Sequence, residues 1–281
     1  MIAICPNPFR DNGLALSRQA IAMLRSAGFE ARIFPVFADD EPDVLPDDLS
    51  YGRLDSLGED CTMAVAIGGD GTILSVVRHL GDRSLPILGI NLGTKGFMAS
   101  LEPEDLMQLL RAARGECPVR SRMMLDVELR RGGETVFTDR ALNDAVIHGY
   151  GDCVQITAWC DGERMTSFSG DGVILSTPTG STGYSMSAGG PIVEPTARAI
   201  IVSPICAHMM SAKSFVVSAD REISVRTEKL HVRKAFLSID GTSGFDLENG
   251  DELYVRRSAS VVQMVDPGIR SFYEIAYKKL Q

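Results

Sequence analysis

The chain has 281 residues, of which 44% are hydrophobic and 23% charged, with a formal net charge of -9. This composition predicts a soluble globular protein of one large or two ordinary domains, and the acidic balance argues against nucleic-acid or membrane-surface partners. The six cysteines are widely spaced without a Cys-x-x-Cys pair, which argues against a zinc site and predicts a reduced, cytoplasmic setting. The N-terminus has no signal-peptide pattern, and no apolar stretch reaches the roughly 20 residues of a membrane helix.

The first hundred residues alternate predicted strands and helices. In chain order these are a strand at Met1–Cys5, the loop PNPFRDNG, a helix at Leu14–Ala27, a strand at Phe29–Val36, a solvated acidic loop over 38–58, and strands at Met63–Ile67 and Ile87–Ile90. Such alternation is typical of a parallel, doubly wound sheet of Rossmann-like type. Its ligand crevice is expected at the carboxyl ends of the strands.

The stretch AVAIGGDGTILSVVRHL, residues 64–80, places three glycines and an aspartate between a strand and a helix. Helical spacing predicts one buried face, formed by Thr72, Ile73, Val76, Val77 and Leu80. Three glycines allow close backbone approach and positive φ, and a helix N-terminus suits a phosphate. The single carboxylate, Asp70, suggests proton transfer or a role beside a metal. A tight turn without a ligand is the alternative.

The sequence pattern changes after a predicted helix at Pro103–Arg114. Alternating apolar and polar residues then predict a β-sandwich-like domain, with hairpin turns at RGGE and at Asp161-Gly162. The last segment, RSFYEIAYKKLQ, returns to helical spacing. We therefore predict an α/β domain over 1–100, a β-rich dinucleotide-binding domain over 101–258, and a tail over 259–281 that returns to the first domain.

The run STPTGSTGYSMSAGGPIV, Ser176–Val193, contains many hydroxyl groups and glycines, one aromatic residue and almost no charge. These groups suit a flat polar heterocycle such as adenine. An ordinary serine- and glycine-rich loop is the alternative.

GGDGT together with TPTGSTGYSMSAGGPI resembles the NAD kinase family, of bacterial type. Further similarity lies in GINLGTKGF, in LND at Leu142–Asp144, in SPICAH at Ser203–His208 and in SIDG at Ser238–Gly241. The similar segments span roughly residues 64–241. The Thr-Pro-Thr-Gly-Ser-Thr run is highly specific, whereas GGDGT is shared with lipid kinases.

The resemblance implies transfer of the ATP γ-phosphoryl group to the 2′-hydroxyl of the adenosine ribose of NAD, with a divalent metal such as Mg²⁺. It implies that Asp70 orients or deprotonates that hydroxyl. The phosphate donors at the turn would be Gly68, Gly69, Gly71 and Thr72. The NAD-binding residues would be Asn143, Asp144, Thr179, Thr182, Gly183, Tyr184, Ser187 and His208. For Asn143-Asp144 a strand-end turn, and for His208 a core histidine, are the alternatives.

Several positions depart from the family pattern. They are Asp144 for Glu, Gly183 for Ala, Leu92 and Lys95 for a polar residue and Leu, Ala207 for Pro, and Lys213 for Arg. A lysine does not reproduce the bidentate contacts of a guanidinium. The sequence does not decide whether the acceptor is NAD or NADH, or whether the phosphoryl donor is ATP or polyphosphate.

The many predicted strands need more cover than one chain supplies, and the resemblance implies a homo-oligomer, a tetramer. No nucleic acid or membrane partner is expected. Two other functions stay open, a diacylglycerol-type lipid kinase and a non-catalytic dinucleotide sensor.

Overall fold

The computed structural model describes residues 1–37, 44–57, 60–93, 96–151, 153–208, 212–228, 230, 234–242 and 244–281. Predictions for 38–43 and 58 of the acidic loop, and for Lys95, lie outside the described residues. The chain divides into two units, the first formed by Met1–Ser121 with Val262–Gln281 and the second by Arg122–Val261.

The helices and strands follow one another as β1 (Ile2–Pro6), α1 (Ala15–Ser26), β2 (Ala31–Ile33), β3 (Met63–Gly68), α2 (Asp70–Leu80), β4 (Ile87–Asn91), α3 (Gln108–Ala113), β5 (Val119–Arg131), β6 (Glu134–Ala141), β7 (Asp144–Gly149), β8 (Val154–Cys160), β9 (Glu163–Gly170), β10 (Gly172–Ser176), α4 (Tyr184–Ser187), β11 (Ala199–Ile205), β12 (Phe215–Ser218), β13 (Ile223–Glu228), β14 (Ala235–Ile239), β15 (Phe245–Asp246), β16 (Glu252–Val265) and α5 (Phe272–Lys279).

The first unit contains the predicted doubly wound sheet, with strands in the order β2-β1-β3-β4 and all parallel. Strands β1, β3 and β4 are buried along their whole length, as expected of a parallel sheet covered on both faces. Helix α2 buries the five residues that its spacing predicted. Because β3 and β4 are parallel neighbours, their carboxyl ends, Gly68 and Asn91, lie side by side.

Two predicted elements of this unit are shorter in the structure. The strand predicted at Phe29–Val36 is regular only as β2, which pairs with β1 over three residues at the sheet edge. The helix predicted at Pro103–Arg114 begins as a separate 3₁₀ turn, Pro103–Asp105, followed by α3. A capping box between Glu102 and Asp105 closes this first turn.

The second unit is rich in strands, as predicted. Strands β8, β9, β13 and β16 pair antiparallel, and β5 pairs with β16 and β6. A second sheet has the order β12-β11-β10-β7-β14-β15. Side chains from both sheets share one buried apolar cluster, as in a sandwich. The hairpin turns fall where they were predicted, with positive φ at Gly132, Gly133, Asp161 and Gly162.

The single tryptophan of the chain, Trp159, lies on β8 in the second unit. It pairs with Ser224 of β13, and the Arg226 guanidinium lies 5.8 Å from the ring centroid. The ring is therefore held on a sheet surface beside a cation.

Helix α5 supplies the helix predicted for the C-terminal segment. The Ser271 hydroxyl accepts from the Glu274 N–H at 3.2 Å, and the Glu274 carboxylate accepts from the Ser271 N–H at 2.6 Å. This capping box begins the helix. Within the described residues no helix is long and apolar enough to cross a membrane.

Candidate functional site

The first polar site is the turn between β3 and α2. A Cβ atom at Gly68 would overlap the Thr72 hydroxyl, so only glycine fits there. None of Gly68, Gly69 and Gly71 has a positive φ, so the prediction of that conformation is wrong. The glycine requirement at Gly68 is one of space, because the next helix turn folds back against the end of the strand.

Asp70 is the first residue of α2 and is half-buried. Its carboxylate accepts hydrogen bonds from the backbone N–H groups of Phe97 at 2.9 Å and Met98 at 3.1 Å. Burial raises the pKa of Asp70, while these two N–H groups and the Lys279 ammonium partly oppose that shift. The carboxylate is therefore held in one orientation, with a raised proton affinity suited to a general base.

Asn91 shapes the loop that follows β4. Its Oδ1 accepts from the Gly93 N–H at 3.1 Å, and its Nδ2 donates to the Gly93 carbonyl at 2.6 Å and to Glu102. A Cβ atom at Gly96 would lie 3.0 Å from Asp70 Oδ1 and 2.9 Å from Asn91 Oδ1. The backbone at Gly96, Phe97 and Met98 therefore packs directly against the Asp70 carboxylate.

The start of α2 decides which N–H groups of the turn are left without an acceptor. The first N–H groups of a helix have no intrahelical acceptor. The Thr72 N–H already donates to the Gly69 carbonyl at 2.9 Å. The Thr72 Oγ1 atom is buried and has no hydrogen-bond partner among the described residues.

The second polar site is the start of β7, in the second unit. One carboxylate, Asp240, accepts from three successive backbone N–H groups, those of Leu142, Asn143 and Asp144, at 2.7 to 2.9 Å. Asp240 itself has a φ of +48°. Because Asp240 fixes the backbone here, the side chains of Asn143 and Asp144 remain available for a ligand.

Asp144 is 6% exposed. Burial raises its pKa to about 7, and the negative charge of Asp240 adds to the shift. Such a carboxylate favours a ligand that donates hydrogen bonds, as the diol of a ribose does.

The loop after β10 packs against Asn143. Thr177 Oγ1 donates to the Leu142 carbonyl at 2.6 Å and accepts from the Gly180 N–H at 3.0 Å. A Cβ atom at Gly180 would overlap the Asn143 carbonyl, and one at Gly183 would lie 3.7 Å from Asn143 Nδ2. Among the described residues, Asn143 Oδ1 and Thr179 Oγ1 are buried without a partner. Thr182 donates to the Thr179 carbonyl at 3.2 Å. Two buried oxygen acceptors, Asn143 Oδ1 and Thr179 Oγ1, therefore lie where the backbone of Gly180 packs closely against that of Asn143.

Tyr184, at the start of α4, is 40% exposed and belongs to an aromatic row. Its ring stacks on that of His148 at 6.4 Å, and the Tyr184 Oη atom lies 3.2 Å from His148 Nε2. His148 stacks in turn on Phe236, which contacts Tyr150. Ser187 ends α4 and is exposed. Sequence pattern gave His148 no functional role, yet it supports Tyr184.

Two other predicted positions are exposed. His208 lies with its Nε2 3.1 Å from Cys153 Sγ, and its N–H donates to the Ser169 carbonyl. It is therefore not a core histidine. Lys213 is exposed ahead of β12.

Sequence reasoning missed three groups that support these sites. Asp240 lies in the SIDG motif, and Lys279 lies in the tail predicted to return to the first domain, but neither residue had an assigned role. Arg10 lies in the loop after β1, where its guanidinium comes close to Gly69 and Gly93. A usable signal for Arg10 was its place after a parallel strand, at the edge where ligands bind.

Comparison with known proteins gives consistent results. The family model described as ATP-NAD kinase N-terminal domain matches residues 25–114, and that described as ATP-NAD kinase C-terminal domain matches residues 142–266. The NAD kinase of Geotalea daltonii is 37% identical over 82% of this chain and 81% of its own. The NAD kinase of Acetivibrio thermocellus is 33% identical over 99% of this chain and 96% of its own.

Solved structures show the same similarity. Yeast NADH kinase complexed with NADH has a TM-score of 0.84 at 25% identity and is matched over 100% of this chain and 86% of its own. An NAD kinase from Archaeoglobus fulgidus in complex with ATP has a TM-score of 0.77 at 26% identity, covering 100% of this chain and 99% of its own.

Proposed function

Since the chain belongs to the NAD kinase family, we propose a role in the reaction for each of its two polar sites. The enzyme phosphorylates NAD at the 2′-hydroxyl of its adenosine ribose with ATP as donor, which gives NADP. Neither the lipid-kinase nor the sensor alternative finds support among the relatives. The observation that carries the assignment of roles is the fixed carboxylate of Asp70 at a glycine-rich helix start.

Asp70 orients the 2′-hydroxyl and accepts its proton as the oxygen attacks the γ-phosphorus. Phosphoryl transfer depends mainly on positioning and on neutralising charge. The backbone N–H groups of Phe97 and Met98 hold the carboxylate before substrate arrives. Burial moves the pKa of Asp70 upward, toward neutral pH, and a pKa near the working pH favours a general base. The turn formed by Gly68, Gly69, Gly71 and Thr72 receives the donor phosphates at the helix start.

Asn143 and Asp144 hold the adenine and ribose of NAD. A buried carboxylate without a positive neighbour is stabilised when hydroxyl groups donate to it. Asn143 Oδ1 and Thr179 Oγ1 are buried acceptors that a ligand N–H or O–H would satisfy. The Asp144 side chain is one methylene shorter than the Glu usual in the family. The ribose must therefore bind closer to the backbone of β7 to reach its carboxylate.

The remaining predicted contacts surround the same site. Tyr184 offers an exposed ring for adenine stacking, held by His148. Thr182, Gly183 and Ser187 belong to the same loop and helix. We assign His208 to the pyrophosphate, because the residue is exposed.

A divalent metal, Mg²⁺, fits this chain as a companion of the nucleotide. Among the described residues no group of three or more His, Cys, Asp or Glu side chains could hold a metal. Mg²⁺ is commonly bound by one or two carboxylates together with substrate phosphates. Asp70 is the carboxylate available at the turn, and the metal would neutralise phosphate charge there.

We propose that the enzyme is a cytoplasmic homotetramer. Strand β12 is the edge of its sheet, and its Phe215 and Val216 are exposed. Exposed apolar edges are commonly covered by another chain. All six cysteines are free, which fits a reducing compartment. Light scattering after gel filtration tests the assembly, and a monomer with full activity at nanomolar concentration would contradict it.

The test of function is the purified protein with Mg²⁺, ATP and either NAD or NADH, with the phosphorylated dinucleotide quantified by chromatography. NADP formation that depends on ATP is expected. A parallel reaction with diacylglycerol vesicles tests the lipid-kinase alternative. Phosphorylated lipid without NADP, or tight NAD binding without turnover, would contradict the proposal.

A further inference from the structure

The Arg10 guanidinium lies close to Gly69, in the turn between β3 and α2. The loop that carries Arg10 contains no recognised motif. A Cβ atom at Gly93 would lie 2.6 Å from Arg10 Nη1, and one at Gly69 would lie 3.9 Å from Arg10 Cζ. Gly69 precedes α2, and Gly93 follows β4. The head group is therefore bordered by both loops that form the carboxyl edge of the sheet.

The loop after β1 holds Arg10 in this position. The Asn7 N–H donates to the Ile67 carbonyl at 2.8 Å, and the Asn7 carbonyl accepts from the N–H groups of Arg10 and Asp11 at 3.0 and 2.9 Å. The buried Asp11 carboxylate accepts from Ser17, through its N–H at 3.0 Å and its hydroxyl at 2.6 Å. Asp11 is thus committed to the start of α1 and does not neutralise Arg10.

Among the described residues, no carboxylate forms an ion pair with the Arg10 guanidinium. The N-terminus of α2 carries the positive end of a helix dipole, which disfavours a nearby cation. The Asp70 carboxylate is held by the N–H groups of Phe97 and Met98. No hydrogen bond or ion pair of the Arg10 guanidinium is found within the described residues. The Arg10 guanidinium therefore lies close to Gly69 at the start of α2. The buried Thr72 hydroxyl, in the first turn of the same helix, has no hydrogen-bond partner among the described residues.

We propose that Arg10 binds the terminal phosphates of the donor ATP and stabilises the charge that develops during transfer. The inference rests on the proposed function. A guanidinium binds phosphate oxygens through two parallel N–H donors and stays protonated throughout.

In the step, the 2′-oxygen of NAD forms a bond to the γ-phosphorus. The bond from that phosphorus to the β,γ-bridging oxygen breaks, and its electron pair leaves with ADP. The hydroxyl proton passes to the Asp70 carboxylate. Arg10 contributes hydrogen bonds to the phosphate oxygens and exchanges no proton.

The first test measures equilibrium affinity for ATP, ADP and AMP in the wild type, Arg10→Met and Arg10→Lys. Loss of a charge-assisted contact lowers ATP affinity by about 10- to 150-fold in Arg10→Met. AMP affinity is expected to stay the same, and lysine restores part of the loss because it keeps the charge. An equal loss for all three nucleotides would overturn the proposal.

A second variant, Gly93→Ala, displaces the guanidinium without removing its charge. The new methyl group meets the end of a flexible side chain, so the fold is expected to tolerate it. The expected result is a smaller loss of ATP affinity in the same direction. Unchanged ATP affinity in both Gly93→Ala and Arg10→Met would overturn the proposal.

Steady-state kinetics distinguish the two phosphate-bearing substrates. Arg10→Met is expected to lower kcat and raise KM for ATP while KM for NAD is retained. A change confined to KM for NAD would assign Arg10 to the acceptor pyrophosphate and overturn the proposal. The control is Arg53→Met, an exposed arginine of the same unit paired with Asp55, and an equal effect there would indicate net charge alone. If the wild type makes no NADP, the proposed function fails, while the affinity series still tests Arg10.

Discussion

Replacing Asp144 by Asn is expected to stabilise the free enzyme at neutral and alkaline pH while weakening NAD binding. The carboxylate is buried, and its pKa is raised from 3.8 to about 7 by burial and by the charge of Asp240. An amide of the same shape carries no charge to desolvate. The substitution therefore removes the free-energy cost of burying a charged carboxylate, which the wild type retains for binding ribose.

The sign and size follow from proton linkage. At about pH 4 and below, both folded and unfolded states hold the Asp144 proton. Between about pH 4 and 7 the unfolded state releases it first, so stability falls as the pH rises, and above pH 7 the deficit is constant. A shift of about three units at about 1.4 kcal/mol each gives a deficit of about 4 kcal/mol.

The measurement is urea unfolding of wild type and Asp144→Asn at pH 5 and pH 8. The free energy of unfolding of the variant is expected to exceed that of the wild type at pH 8, by up to about 4 kcal/mol, and by less at pH 5. Asp126→Asn, at a partly exposed carboxylate of the same unit, serves as the control and is expected to show no such gain. Parallel pH profiles for wild type and Asp144→Asn, or unchanged NAD affinity, would refute the reasoning.

Three further predictions concern the turn and the loop. Asp70→Asn is expected to lower kcat by about 10²- to 10⁴-fold with NAD affinity retained in equilibrium dialysis, and near-normal kcat would remove Asp70 from proton transfer. Lys279→Met removes a cation that opposes the raised pKa of Asp70, so the acidic limb of the kcat–pH profile is expected to move to higher pH; Lys279→Arg should restore it, and an unmoved limb would contradict the link. Gly180→Ala places a Cβ atom against the Asn143 carbonyl, so we expect a loss of about 1–3 kcal/mol in stability and a raised KM for NAD, and an unaltered KM would show that the loop does not position Asn143.

Local pattern was enough to predict the framework of the fold. The apolar spacing after Gly71 identifies the buried face of α2, because a helix brings every third or fourth residue to one side. The hairpin glycines were equally informative, since few other residues adopt positive φ. The same argument failed at Gly68, where the glycine is needed for space beside Thr72 and not for its φ.

The arrangement of the candidate site could not be predicted from local pattern. Asp70 is oriented by the N–H groups of Phe97 and Met98, and every residue except proline has such a donor. Asp240 holds the backbone at Asn143 from about a hundred residues away. Lys279 reaches the neighbourhood of Asp70 only through the course of the last helix. Family resemblance indicated which residues belong to the site. These contacts between residues far apart in sequence determine how those residues are oriented and how their pKa values shift.

The single tryptophan has a consequence for how this protein's unfolding is observed. Trp159 lies in the second unit, so intrinsic fluorescence reports the environment of that unit's sheet and is silent about melting confined to the first. The helix signal in circular dichroism comes mainly from the first unit, which holds α1, α2, α3 and α5, whereas the second unit holds the four-residue helix α4. Coincident denaturation curves from the two spectroscopies would indicate a cooperative transition of the whole chain, and separated curves would indicate that the units unfold in turn.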